Sequence, residues 1–360
     1  MTAGAGDKVI THGLKCEACG YDVVYDPAEG MMKCPHCGST VAIKDCATVI
    51  AEQDFVLTAA ASEQWQEGRS YRCENCGATT VLIENEIATR CPFCGAPKVV
   101  DVEDQPGIKP MGVVPFSVPK ESALSALKGF IKKKIFAPKK FKKAFSPDRV
   151  SGVYIPCWLF DTNSHATYSG TFGRYYTVTV GSGKNRRTVR KIRWFTGSGV
   201  LRRDFNDYAV EASRRLDQRT FDKIAPFATA EPRLYSPEYM MGYAAERYTE
   251  GPDTSFQKMC ADVKDVFRQM AINAENADVV QSLTVNVVHE NVKYKYLLLP
   301  VWTFSEAYKG KNYGYVVNGE TGRATGKAPV SPIKATIAGL LGAGVVALIV
   351  YLFMLSEGMA

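Results

Sequence analysis

Histidine is scarce. Four stand among 360 residues, at positions 12, 36, 165 and 289. His165 and His289 stand alone in strand-like stretches. No Ser-His-Asp set, paired-carboxylate pattern or cofactor loop forms around them, which argues against an enzyme. A phosphate loop is missing too. "GSGK" ends at Lys184, but such a loop needs Gly at 178, where Val stands, and Ser or Thr at 185, where Asn stands. The opening "MTAGAGDKVITHGLKC" has no apolar run. No secretory signal is therefore expected, and the body is expected in the cytoplasm. Acidic residues are nearly absent from one long stretch. Between Lys120 and Arg203 there are 19 Lys or Arg and 3 acids, a net of +16 in a chain of +7. A block that basic calls for a polyanionic partner: lipid headgroups, nucleic acid or an acidic protein face.

Cysteine, by contrast, is organised. Cys16, Cys19, Cys34 and Cys37 form two C-x-x-C pairs, and Cys73, Cys76, Cys91 and Cys94 repeat them 57 residues later, with fourteen residues between the pairs in both copies. Eleven cysteines in a short secreted chain would suggest disulfides. Paired knuckles in a chain without a signal read as metal sites in a reducing compartment. Gly20, Gly38, Gly77 and Gly95 follow the second cysteine of each pair, where the turn needs positive φ. Four sulfurs complete a tetrahedral shell with no open position, so two structural Zn²⁺ ions are expected. His36, inside "CPHC", is read as solvent-facing. His12 and Cys46 flank the first unit and are not expected as ligands. Residues 13–45 hold three Lys and five acids, and residues 69–101 four basic and four acidic residues. Units that gripped phosphate would be basic, so protein contact or structural spacing is the better reading.

Ala335 to Leu355 is 21 residues without a charge. At 1.5 Å per residue it crosses a hydrocarbon core of roughly 30 Å. Arg323, Lys327 and Lys334 precede it and Glu357 follows, which places the body on the cytoplasmic side. Ala335, Gly339 and Ala343 give small residues at four-residue spacing, a face through which such helices self-associate or meet a membrane partner.

The expected organisation is multidomain. Residues 13–45 form one zinc ribbon, 46–69 a helical linker and 70–101 a second ribbon. An α+β, β-rich basic cytoplasmic domain covers 106–330, and a tail-anchor helix covers 335–355. In the body, Pro119 opens a helix with Leu124, Leu127, Ile131 and Ile135 on one stripe. Its end carries Lys132, Lys133, Lys134, Lys139, Lys140, Lys142 and Lys143 among Phe136, Phe141 and Phe145. Basic and aromatic residues together suit a membrane surface, while aromatics turned into the core fit the same pattern. "RYYTVTVGSGKNRRTVRKIRWF" reads as a hairpin. It brings Arg186, Arg187, Arg190 and Arg193 together as a second candidate contact for an anionic partner. A helix is expected from Pro252 to about Asn273, with Phe256, Cys260, Val263, Phe267 and Met270 on one face. Strands follow in "SLTVNVVHE" and "KYKYLLLPVWTFSEAYKG", and "NYGYVVNGETGRATG" reads as a hairpin with an Asn-Gly turn.

Several stretches, among them "VSGVYIPCWLFD", "IAPFATAEPRLYSPEYMMGYAAERY" and "YLLLPVWTFSEAYKGKNYGYVVNGETGRATGKAPVS", occur in the same order in a bacterial family. Together with the ribbons and the anchor, the chain resembles membrane-anchored zinc-ribbon proteins described as transcription factor IIB-type and sometimes labelled primosomal helicase-like. No helicase core fits here, and only the C-x-x-C pairs support that label. The resemblance implies company with flotillin-like and phage-shock membrane proteins in envelope stress. It carries over the eight cysteines and the anchor, and no catalytic residue. Cys157 stands where the family pattern has an aromatic before Trp158. The expected function is a tail-anchored scaffold or adaptor facing the cytoplasm. Its expected partners are membrane-associated proteins and anionic lipid. The alternative is a membrane-tethered nucleic-acid-binding protein.

Overall fold

The computed structural model describes residues 15–43, 50–55, 64–65, 69–82, 91–93, 96, 99–102, 107–145, 149–183, 186–213 and 216–357. Strands β1 (Val24–Asp26), β2 (Met31–Lys33) and β3 (Thr40–Val41) form a small antiparallel sheet. β4 (Gln53–Asp54), β5 (Gln64–Trp65), β6 (Arg69–Cys73), β7 (Thr79–Leu82), β8 (Val99–Val102), β9 (Gly107–Ile108) and β10 (Gly112–Val113) follow. Then come α1 (Lys120–Lys132), α2 (Lys139–Lys142), β11 (Val150–Val180), β12 (Arg187–Glu211), α3 (Gln218–Ile224), β13 (Arg233–Leu234) and β14 (Ala244–Glu246). The chain closes with α4 (Pro252–Ala274), β15 (Val279–Tyr308), β16 (Lys311–Asn318), β17 (Ala324–Gly326) and α5 (Pro332–Glu357). The helix expected over 46–69 does not form among the described residues. There Gln53 and Asp54 pair with Tyr294 and Lys293 of β15, Gln64 and Trp65 pair with Ile108 and Gly107 of β9, and residues 46–49, 56–63 and 66–68 lie outside the described residues.

β11 is the axis of a twelve-stranded sheet, flanked by β12 and β15. At about 3.3 Å per residue its 31 residues have a contour of about 100 Å. The two strands expected after α4 are one strand, β15. It continues through a bulge at Asn291 and Val292, which face the single Thr162 of β11. β12 bulges at the same level, where Asn206 and Asp207 face Asp161. Asp207 and Asn291 take φ of 50° and 51°, a backbone state that Asp and Asn tolerate better than most residues. Each bulge adds one residue and bends its strand.

The bulges divide the sheet into two regimes. Before them, β11 residues 153–160 are all buried. Val153, Ile155, Cys157 and Leu159 face a cluster that includes Phe221 and Ile224 of α3. Tyr154, Trp158 and Phe160 face the main core. Trp158 stacks on Tyr296 at 4.6 Å and donates Nε1–H to the Glu250 carbonyl at 2.9 Å. Both faces are covered, so the run is continuously apolar rather than alternating. Beyond the bulges alternation returns. Ser164, Ala166, Tyr168 and Phe172 are buried, while Asn163, Thr167 and Ser169 are exposed. α4 covers the buried face with Met259, Val263, Phe267 and Ala271. Phe256, Cys260 and Met270 of the expected stripe are half-buried beside it.

α1 buries Ala123, Leu124, Leu127 and Ile131 but ends at Lys132, so Ile135 is not on its stripe and is exposed. The β11–β12 hairpin and the β16–β17 hairpin form where expected. α5 is a single apolar helix. Its Pro332–Phe353 window has a mean hydropathy of 2.3, and none of that window is buried within the chain.

Candidate functional site

The cysteine knuckles are built by one repeated backbone device. Cys16 N–H bonds the Tyr21 carbonyl at 2.8 Å, Cys34 that of Ser39 at 2.9 Å, Cys73 that of Ala78 at 2.9 Å and Cys91 that of Ala96 at 2.9 Å. In three of them the following glycine returns its own N–H to the first cysteine: Gly20 to Cys16, Gly38 to Cys34 and Gly77 to Cys73. These glycines have φ of 73°, 77° and 70°. That state is costly for other residues, and it curls the loop so that both sulfurs of a pair point inward. Cys94 and Gly95 lie outside the described residues, as do His12 and Cys46.

The sulfurs of Cys16, Cys19, Cys34 and Cys37 all lie within 4.8 Å of one another, and so do those of Cys73, Cys76 and Cys91. Individual separations are 3.4 Å for Cys16–Cys37, 3.5 Å for Cys19–Cys34 and 3.6 Å for Cys76–Cys91. A disulfide needs about 2.05 Å. A tetrahedral shell with metal–sulfur bonds of about 2.3 Å has edges of about 3.8 Å. The clusters therefore fit a metal ion and do not fit disulfides. The Cys37 thiol is pulled down to about 6, chiefly by the Ser39 side-chain and backbone hydrogen bonds. Cys19 is pushed up to about 12: the Tyr21 backbone bond pulls it down, but desolvation and the neighbouring sulfurs of Cys34, Cys37 and Cys16 outweigh it. Cys19 and Cys37 thus hold their protons unequally, and a cation at the centre of the four sulfurs would favour the thiolates. His36 is exposed and stacks on Tyr21, away from the sulfur cluster.

Neither cysteine unit projects freely. Cys16, Val23, Tyr25, Met32 and Cys34 belong to the main core. Tyr25 donates its hydroxyl to the Phe116 carbonyl at 3.0 Å, and its N–H bonds the Met241 carbonyl at 3.1 Å. The second unit extends the large sheet, since β7 pairs with β14, which pairs with β11. Spacing could not show these attachments, because they depend on Phe116, Met241 and β14, far away in sequence.

The basic residues separate into two groups. Lys132, Lys133, Lys134, Lys139, Lys140 and Lys143 are exposed around the α1–α2 turn, and Lys142 is half-buried, donating to the Lys132 carbonyl at 3.0 Å. Of the three phenylalanines there, Phe141 and Phe145 turn into the core and Phe136 is exposed. Arg186, Arg187, Arg190 and Arg193 lie at the far end of the β11–β12 hairpin. Its segments 174–180 and 187–193 run past Val279, the start of β15, as a two-stranded arm. Arg190 sits 3.3 Å over the Tyr175 ring and Arg193 5.4 Å over that of Tyr176. His165 and His289 stand on β11 and β15. His289 Nδ1 lies 2.9 Å from Ser164 Oγ, and burial pushes its pKa down. That serine is buried.

No family model matches the chain, and no solved structure matches it. A Bacillus subtilis (strain 168) protein described as the uncharacterized protein YdjG is 26% identical over 347 residues. The match covers 96% of this chain and 98% of that protein. This chain is therefore similar along nearly all of its length to a protein from that bacterium.

Proposed function

We propose that the chain is a tail-anchored, cytoplasm-facing scaffold at the cell membrane, with two structural zinc ions. The observation that carries this reading is α5: its span Pro332–Phe353 is long, apolar and unburied by the rest of the chain, and it is attached beside a cluster of lysines. A helix apolar all round and left uncovered would expose a large hydrophobic surface to water, and a bilayer removes that cost. Lysines near an anionic leaflet add about 1 kcal/mol each. The tetrahedral fit of the sulfur clusters supports zinc as the metal. The resemblance to membrane-anchored zinc-ribbon proteins supports membrane-associated proteins as partners, in flotillin-like or envelope-stress assemblies. Small residues along α5 support self-association within the membrane.

The reading is tested on full-length protein. It should partition with membranes through high-salt and alkaline washes, leave only with detergent, and contain two zinc per chain. Release by salt alone would overturn the anchor. Cross-linked partners recovered by mass spectrometry should be membrane proteins, unchanged by nuclease.

A second reading, membrane-tethered nucleic-acid binding, is favoured by the arm. Residues 174–193 hold seven Lys or Arg and no acid. Partners lost on nuclease treatment would favour it over the first.

A further inference from the structure

The turn between α1 and α2 exposes apolar side chains at the root of α5. Ile135 is 69% and Phe136 37% exposed, between Ile131 and Ala137, which are buried. Val330 and Ile333, at 64% and 71%, are exposed where α5 begins. The turn is clamped to the helix. Ser331 N–H donates to the Phe136 carbonyl at 2.9 Å, and Lys334 Nζ donates to the Ile135 and Ala137 carbonyls at 3.0 and 2.7 Å. From the other side the turn is held by Phe141, which packs 5.5 Å from the rings of Phe145, Tyr308 and Tyr313.

These bonds fix the depth of the turn. Ser331 lies four residues before Ala335, about 6 Å along a helix, and Lys334 lies one residue before it. The headgroup layer on each side of the hydrocarbon is about 5–8 Å thick. With Ala335 at the hydrocarbon boundary, the residues bonded to Ser331 and Lys334 stand inside that layer.

We propose that the turn Lys133–Pro138 is an interfacial wedge. Ile135 and Phe136 enter the same leaflet that α5 crosses, and Lys132, Lys133, Lys134, Lys139, Lys140 and Lys143 meet its anionic headgroups. This rests on the reading of α5 as a membrane span. Exposed apolar residues rimmed by lysines match the amphipathic pattern of interfacial segments. Two attachments, a span and a wedge, hold the body at a set angle to the membrane, where a helix alone would let it swivel.

The test places a photoreactive phenylalanine analogue at Phe136, at Leu348 in the span and at the exposed Val200 of β12, in full-length protein in vesicles containing phosphatidylglycerol. Lipid adducts are expected at 136 and 348 and not at 200. Adducts at 348 without adducts at 136 overturn the wedge and leave the anchor standing. Adducts at neither overturn the anchor, and the wedge with it. In neutral phosphatidylcholine vesicles the yield at 136 should fall several-fold while that at 348 holds. Equal yields at 136 in both lipids overturn the role given to the lysines. Surface variants Ile135→Asp and Phe136→Asp, which leave the core untouched, should speed trypsin cleavage at this turn in vesicles but not in detergent. No change in vesicles counts against the wedge.

Discussion

Lys132–Lys143 and Arg186–Arg193 carry charge of the same sign, yet their surroundings differ. The lysines stand on a rigid base. Ile131, Ala137, Phe141 and Phe145 beneath them are buried, and hydrogen bonds tie their turn to α5. The arginines lie along one strand of a two-stranded ribbon that has outrun β15, Arg187, Arg190 and Arg193 in β12 and Arg186 just before it, with Tyr176, Ile192 and Trp194 exposed beside them. Between the groups lies most of the contour of β11, about 100 Å if straight. Charge at the foot of an apolar helix suits a flat anionic surface. Charge on a narrow ribbon with interleaved aromatics suits a strand-like polyanion that can lie along it. The fold therefore keeps the two basic groups apart, and each can be altered without the other.

The largest expected effect separates the two ends by metal. The first cysteine unit contributes Cys16 and Cys34 to the main core, and the second is an edge of the main sheet. Structural zinc in small peptides is worth on the order of 10 kcal/mol. Stripping it with a strong chelator, or Cys34→Ser, should lower Tm by about 10 °C or more. Hydrogen exchange should rise first around the cysteine units and the Phe116–Tyr243 region they pack on. The β11–β12 arm and the α4 face should keep their protection longer. An unchanged Tm in protein verified as metal-free would reduce the clusters to ordinary reduced cysteines.

The next effect concerns the arm. Replacing Arg186, Arg187, Arg190 and Arg193 with alanine removes up to four phosphate contacts. Each is worth close to one unit of the slope of log K against log salt. Binding to a single-stranded polyanion at low salt should weaken about 10²- to 10³-fold, and the slope should fall by about 3. Tm should hold, since all four side chains are exposed. Vesicle contact at the turn should also hold. If the arginine set weakens vesicle contact as much as polyanion binding, the two groups act as one surface and the division fails.

Legibility in the sequence followed the range of the interactions. The cysteine knuckles and the positive φ of Gly20, Gly38 and Gly77 are set within five residues, so spacing reveals them. The apolar run of α5 declares itself by length alone. α1 and α4 show their stripes in the sequence, although the periodicity carries Ile135 onto α1 and the helix stops at Lys132. What depended on distant partners stayed hidden. β15 looked like two strands because its bulge at Asn291 interrupts the pattern and its two halves obey different rules, one face covered in the first and two in the second. The docking of Tyr25 on Phe116, and of β7 on β14, involves no local signal at all. The split of one basic block into two patches follows from the hairpin that carries half of it away.

The smallest effect tests the border between the halves. Glu211 ends β12 four residues beyond its bulge, opposite Cys157 in the doubly covered region, and it is buried there. Burial pushes its carboxyl up to about 7 from the ordinary 4.5, against the pull of the Ser213 side-chain and backbone hydrogen bonds and of Lys258; Glu250 pushes it further up. A folded pKa above the unfolded one means that the folded chain holds the proton more tightly. The stability this proton confers is full below about pH 4.5 and is lost as pH rises through about 7. The shift corresponds to at most about 3 kcal/mol. Glu211→Gln cannot ionise, and its amide oxygen can still accept from Ser213. Relative to wild type, the variant should be about equally stable near pH 4.5 and more stable near pH 8. The difference between the two urea-melt series should grow between those values. Parallel profiles would mean that Glu211 is ionised in the folded chain at no cost, with Lys258 and water reaching it. The border would then be open to solvent, and the contrast between a sealed root and an open blade would have to be redrawn further toward α3.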